Sequence, residues 1–454
     1  MKRPRTSRGF AYVLTLILLS IMMTLAAALT NSSALSMASS SNLADAAKAR
    51  LEAESGMAFM LTRMRGMRLA ANTTEATFAA NMAAALGARL NGTGNLGGAS
   101  VIAGGTGVSV PAIATPDGSF SAALIWCGDN RCRLSVTGSA RGLTRSVSIE
   151  LLLTPRNSAA FDYGLASLGP LSVSGNSRIL GVNSPSEASV LSATTSDAVA
   201  VSLSGSAIVA GDATVVQDPR FLTISGSPSL GGTSNPLLMA QHIHAVAEAP
   251  DFPQVDVSAL APLATNRLTT QPPTQTTTLT NIRIAAGLNP TFTSDVIING
   301  IIYVEAPNNV QFAGKAVING MVVTEPSTQP LSACTLRFGG NVEAYGVETL
   351  PATAEFSAIR AQTGTFVLAP GFDVTFAGNF SAINGTIAAD KLTFAGTATG
   401  TVKGAVIGLS PEATSVGGSV DILVDRQGAS PHPAGFVQTF TLTPQGTTYR
   451  EGGQ

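Results

Sequence analysis

A chain of 454 residues has room for two or three domains with cores of their own. Its 12% charged residues and 5% aromatics, set against 46 glycines, argue against a helical enzyme of that size and for β structure with many tight turns. The net charge of −1, with no basic or acidic block after the first residues, speaks against nucleic acid or a polyanion as partner.

The N-terminus sets the class. Phe10 to Leu29 is a run without a charge, preceded by Lys2, Arg3, Arg5 and Arg8. A helix of that length spans ~30 Å, the thickness of a bilayer's hydrocarbon core. A secretory signal peptide is the rival reading, with Ala26 to Ala28 as its cleavage site, but its apolar core is usually only ~7 to 15 residues long. The basic flank predicts a single-pass membrane protein with a cytoplasmic N-terminus and its bulk outside. Residues 10–29 are thus the expected transmembrane helix and residues 1–9 a leader.

A Ser-rich stretch from Asn31 to Asn42 either caps or interrupts the helix, and a helical pattern resumes at Leu43. Together, residues 30–71 are read as a helix extension. Met57, Met60, Met64 and Met67 fall on one face, which packs either on the chain's own head or against a neighbouring subunit.

Two motifs in this region carry a family resemblance. Arg8-Gly9-Phe10-Ala11-Tyr12-Val13-Leu14 resembles the leader junction of type IV pilins and type II secretion pseudopilins. Ala49-Arg50-Leu51-Glu52-Ala53-Glu54-Ser55-Gly56-Met57-Ala58-Phe59 is similar to the A-x-x-A-E-x-G-L signature of PilX-type minor pilins and K-type minor pseudopilins. The resemblance implies that a prepilin peptidase cuts after Gly9 and methylates Phe10, and it makes Glu54 and Gly56 the signature residues. It also implies other pilins or pseudopilins and an inner-membrane assembly platform as partners. Major pilins carry a glutamate at the fifth mature position, where this chain has Leu14. That departure argues for a minor or tip subunit.

Residues 72–154 read as a small α+β head, with a helix over 73–90 and strands near 101–110, 119–127, 131–139 and 143–153. Cys127 and Cys132 bracket a Gly-Asp-Asn-Arg turn between two strand-like runs, where a hairpin would bring the sulfurs to disulfide distance. Free buried thiols are the alternative, while a metal site lacks further ligands. Cys334 is expected to be unpaired and buried.

Past Pro155 repeats decide the fold. Val173-Ser-Gly, Leu203-Ser-Gly and Ile224-Ser-Gly begin one series. Phe312-Ala-Gly, Phe338-Gly-Gly, Phe376-Ala-Gly and Phe394-Ala-Gly form another, at spacings of 26, 38 and 18 residues. Spacings near 20 or its double match coils of a parallel β-solenoid with loops of varying length. The expected fold is therefore an α+β pilin-like part, with a long N-terminal helix and an antiparallel sheet, followed by an all-β, right-handed parallel β-helix. Its two solenoid parts, 155–248 and 282–426, flank a Pro/Thr-rich stretch at 249–281. That stretch is either a linker or a loop crossing the outside of the rod. Residues 427–454 read as a polar tail with one strand-like run, Gly435 to Gln445.

No constellation demands chemistry. His242 and His244 would point to one side of a strand, with Glu248 and Asp251 nearby, but no third ligand stands at a firm spacing, so no metal is assigned. Asp295, Glu305, Glu325, Glu343, Glu348 and Asp373 are scattered. No catalytic residue or cofactor is expected, and the chain is read as non-enzymatic. The functional expectation is a membrane-anchored minor pilin-like protein displaying a solenoid for assembly, adhesion or spacing, with surface polysaccharide or another cell as the outer contact. A membrane-tethered carbohydrate-binding or carbohydrate-active β-helix protein is the alternative.

Overall fold

The computed structural model describes residues 8–70, 73–156, 158–195, 199–247, 249–430 and 432–452. Most of the expected leader, and Glu248, lie outside the described residues. The chain divides into two compact units, residues 1–155 with 439–454, and residues 156–438. It has a long N-terminal helix followed by a large sheet-rich part.

Helix α1 (Arg8–Met64) is 57 residues long, ~86 Å, and contains no proline. The Ser-rich stretch does not interrupt it. Polar residues on the exposed half return their hydroxyls to the helix's own carbonyls, as Thr30 Oγ1 does to Ala26 O at 3.0 Å. From Tyr12 to Leu43 the helix is exposed and carries one large apolar side chain after another. From Ala49 onward one face is buried, and Met57, Met60, Met64 and Met67 lie in the core of this unit. The methionine stripe packs on the chain's own head.

Strands β1 (Arg68–Ala70), β2 (Ile102–Gly104), β3 (Gly107–Ala114), β4 (Ser119–Gly128), β5 (Arg131–Ala140) and β6 (Leu143–Arg156) share one sheet with the C-terminal strand Thr439–Gly452. Helix α2 (Glu75–Leu90) starts at Thr74, whose capping box with Thr77 satisfies the first turn, and buries Phe78, Met82 and Leu86 in the same core. The C-terminal strand lies between β1 and β6. This corrects the reading of 427–454 as a tail: its last strand completes the head, and the second unit is inserted between two neighbouring strands of the first.

The β4–β5 hairpin turns through Asp129 and Asn130, both with positive φ (47° and 53°), as a tight two-residue turn requires. The expected disulfide does not form there. Cys132 pairs in register with Trp126, and Cys127 falls in the register shift between Trp126 and Gly128. One side chain is therefore exposed and the other buried, and all three cysteines are free. Burial, with Cys127 adding a smaller contribution, pushes the Cys132 thiol up to about 12.

In the second unit every pairing between named strands is parallel. Val296–Val304 pairs with Ala316–Thr324, twenty residues on, without a slip. Inside, Phe292, Phe312, Phe338, Phe376 and Phe394 stack ring on ring, with centroids 4.8, 5.2, 4.8 and 5.1 Å apart and planes within 15°. Close approach explains the glycine in the middle rungs: a Cβ at Gly340 would stand 2.1 Å from Gly314 O, and one at Gly378 2.1 Å from Gly340 O, while Gly396 adopts a positive φ of 71°. The uneven spacings arise from excursions between rungs, including the helix Ala354–Arg360 between Phe338 and Phe376. Val173, Leu203 and Ile224 align in register as well.

The spatial order of the stack departs from the chain order. Val406–Gly408, late in the unit, pairs in parallel with Leu165–Ser167, near its start. Leu165–Ser167 pairs on its other side with Val190–Ser192, followed by Ala213–Val216 and Ile243–Val246. One end of the stack is thus near residue 246 and the other near residue 266, where Asn266–Leu268 pairs with Ile282–Ile284. The Pro-rich stretch connects these two ends along the outside. Phe252 packs near Ala166 and Leu191, Val255 bridges to Phe436, and Val257 and Leu260 are buried against outward-facing Ile301, Met321, Val323 and Leu368. It is a packed strap, and the strands beneath it are apolar on both faces because both are covered.

The cysteine geometry predicts that, at pH 8 in the folded protein, a maleimide labels Cys127 alone, and that Cys132 and Cys334 react only after unfolding. Mass spectrometry of the labelled protein checks this, and loss of labelling at Cys127 with a two-hydrogen mass deficit would reveal the disulfide instead.

Candidate functional site

The sequence signature lies where α1 meets the sheet, and its small residues explain the contact. Ala49 and Ala53 are fully buried, and they rest on Gly138 of β5. A Cβ at Gly138 would stand 2.2 Å from Ala49 O and 2.3 Å from Ala53 N, so backbone lies directly on backbone. One turn on, a Cβ at Gly56 would meet the Phe120 ring at 2.6 Å and Val136 at 2.8 Å. Alanine and glycine are required on both surfaces because nothing larger fits between helix and strand.

The charged residues of the signature divide by face. Glu54 is half-buried and accepts from Arg50 Nε at 2.9 Å, while Arg50 also reaches Glu451 of the C-terminal strand at 2.6 Å. The hydrogen bond that Arg50 donates to Glu54, then the charge of Glu451, raise the Arg50 pKa, although surface pairs of this kind contribute little stability. Glu52 points the other way: it is buried and its Oε2 has no hydrogen-bond partner. Gly9 and Phe10 lie in the first turn of α1, and Leu14 is exposed on it. Where α1 leaves the sheet, Leu35, Ala38, Asn42, Leu43 and Ala46 form a groove of about 520 Å³ with Leu143 and Arg145.

The histidine pair does come together, around a carboxylate the sequence did not suggest. His242 Nδ1 lies 2.7 Å from Asp212 Oδ1, and His244 Nε2 lies 3.1 Å from Asp212 Oδ2. Burial would raise the Asp212 pKa, but the two imidazole bonds outweigh it and lower it. The imidazoles engage different oxygens, and among the described residues no three ligating side chains converge on a metal position. Asp251 lies elsewhere, its carbonyl accepting from Ser158.

Three of the scattered acids pair with cations: Glu305 with Arg267 and Arg283, Glu343 with Lys315, and Asp373 with Lys391. Two carboxylates escaped sequence reasoning. Burial raises the pKa of Asp390, beside Glu412. Glu187 is buried in a ring of donors. Neither stands in a motif, so only the fold reveals them.

Comparison with known proteins bears on the helix. The family model of the PilX N-terminal region matches residues 8–58. Residues 8–58 are a PilX-type minor pilin N-terminal region. The match ends two residues past Gly56, so it includes the helix-to-sheet contact. Among solved structures, the crystal structure of the competence-associated pilin ComZ from Thermus thermophilus aligns at 12% identity, covering 90% of this chain and 97% of that one, with a TM-score of 0.22. No curated protein matches the chain. The PilX-type region contains the one helix among the described residues that is long and apolar enough to cross a membrane, consistent with a single-pass anchor.

The contact predicts that Gly138→Ala lifts α1 from the sheet and destabilises this unit by about 1–3 kcal/mol or more. Gly94→Ala, where a Cβ meets nothing within 4 Å, should be near neutral. Denaturant midpoints of the two variants check this, and equal midpoints would refute the contact.

Proposed function

We propose that the chain is a membrane-anchored minor pilin-like subunit of a type IV pilus or type II secretion system. The observation that supports this most is the division of α1: an apolar half, exposed along its whole length, continues without a break into a half seated on a sheet through the PilX-type signature. The first half holds the chain in the inner membrane and later packs among other pilins, with the bulk on the periplasmic side. Prepilin peptidase cleaves after Gly9 and methylates Phe10. Leu14 in place of a glutamate suits a minor or tip position.

We read the second unit as a β-solenoid, supported by its parallel registers and stacked phenylalanines. It is displayed for assembly, adhesion or spacing, and an adhesive role would place surface polysaccharide or another cell opposite it. The chain works as a structural protein: Glu305, Glu343 and Asp373 are each tied to cations of their own, apart from one another, which weighs against the carbohydrate-active alternative.

Intact-mass and N-terminal peptide analysis of the protein from its native membranes tests the proposal. A chain beginning at N-methylated Phe10 is expected. A chain beginning at Met1, or after Ala28, would overturn it.

A further inference from the structure

The first and last coils of the second unit form the one junction in the stack made by segments more than two hundred residues apart in the chain. Val406–Gly408, Thr414–Val416 and Asp421–Asp425 meet Leu165–Ser167, Leu171–Val173 and Arg178–Gly181 in three short strand pairs. Elsewhere a rung follows its neighbour within a few tens of residues, so the chain itself keeps it close. Here only non-covalent contacts do.

The chemistry of the stack also changes at this joint. The phenylalanine ladder ends at Phe394, and the column continues through Val416 and Val173 to Leu203. The buried core runs on across the joint, with phenylalanines stacked on one side as far as Phe394 and aliphatic side chains from Val416 and Ile422 to Val173 and Leu203 on the other. Polar groups are buried at the joint: Ser167 and Thr414 share a hydroxyl hydrogen bond at 3.1 Å, and the Ser177 hydroxyl has no partner.

One carboxylate fastens the rim. Glu187 accepts from Asn183 N (2.8 Å), Asn183 Nδ2 (3.0 Å) and Ser184 N (3.4 Å) on the first-coil side. It also accepts from Arg426 N (3.2 Å), just past the last coil. Asn183 Nδ2 reaches across to Asp425 at 2.9 Å, and the Arg426 guanidinium donates to the carbonyls of Phe161 and Asp162. Burial would raise the Glu187 pKa, but its donors outweigh that and lower it, so the group is held as the carboxylate.

We propose that the second unit is built as two half-stacks, residues 156–246 and 266–438, that part and reclose at this joint, with Glu187 as the latch and the strap at 249–265 as the tether. Opening costs three short strand pairs, the latch bonds and exposure of the apolar faces that Val406, Val416 and Ile422 share with Leu165, Val173 and Ile179, and it uncovers two strand edges that match each other.

Hydrogen exchange read by mass spectrometry on the full chain in detergent tests this. Amides that donate across the joint, those of Leu168, Ser174, Arg178, Val182 and Val406, should exchange together and faster than those joining 296–304 to 316–324. Glu187→Gln turns an amide N–H toward the donors and should accelerate the joint amides at least about tenfold while leaving the phenylalanine rungs unchanged. Should that variant fail to fold, Ser172→Cys with Ser415→Cys, in a Cys127→Ser background and oxidised to a cross-joint disulfide, should suppress the joint's exchange selectively. Joint amides as slow as the phenylalanine rungs, a uniform acceleration by Glu187→Gln, or a disulfide without effect on the joint would each overturn the proposal.

Discussion

The constraint that organises this protein is that its chain leaves one sheet and returns to the same sheet beside the strand it left. Strand β6 ends at Arg156, and the strand that begins at Thr439 is its neighbour. Whatever lies between must begin and end in nearly the same place. A parallel stack wound in simple chain order would need a return segment after its last rung, because each rung adds ~4.8 Å and its two ends separate steadily. Starting the winding in the middle resolves the conflict. The chain builds outward from the first coil to residue 246, returns along the outside as the strap, and winds back until the last coil meets the first. The strap, the joint and the apolar outer face that the strap covers all follow from that requirement.

The same economy governs the head. A helix of this length gains little from its own propensity, and its lower half is held by burial of one face. The contact is close because Ala49, Ala53 and Gly56 on the helix face Gly138, Phe120 and Val136 on the sheet. Close approach leaves no room for a side chain between the backbones, and the dispersion contacts so gained depend on the absent methyl groups as much as on the groups present. The upper half has no such support within the chain. Its exposed leucines, isoleucines and methionines are compatible with water only if something else surrounds them.

How much of this was legible in the sequence depended on how local the cause was. The apolar helix, the Phe-x-Gly rungs and the Val/Leu/Ile-Ser-Gly rungs were legible, since each repeats a short pattern whose physical basis lies within a few residues. Their irregular spacing was explained only when the excursion at Ala354–Arg360 was in view. The C-terminal strand was mistaken for a tail, and the joint was invisible, because pairing across hundreds of residues leaves no mark in either partner. Cys127 and Cys132 misled for the opposite reason: hairpin spacing suggested facing sulfurs, and one register shift turned them apart. Asp212 and Glu187 carry no motif, and their importance comes from what the coils bring against them.

The order of the coils is the claim on which the rest of this account stands, and a distance between two outward-facing serines measures it most directly. Ser172 and Ser415 are register partners across the joint. Nitroxide labels at Ser172→Cys and Ser415→Cys, in the full chain with Cys127→Ser, should show the strong dipolar broadening of adjacent strands, whose spacing is ~4.8 Å. A stack wound in chain order would hold the two labels tens of ångströms apart, and a spectrum without broadening would contradict the account.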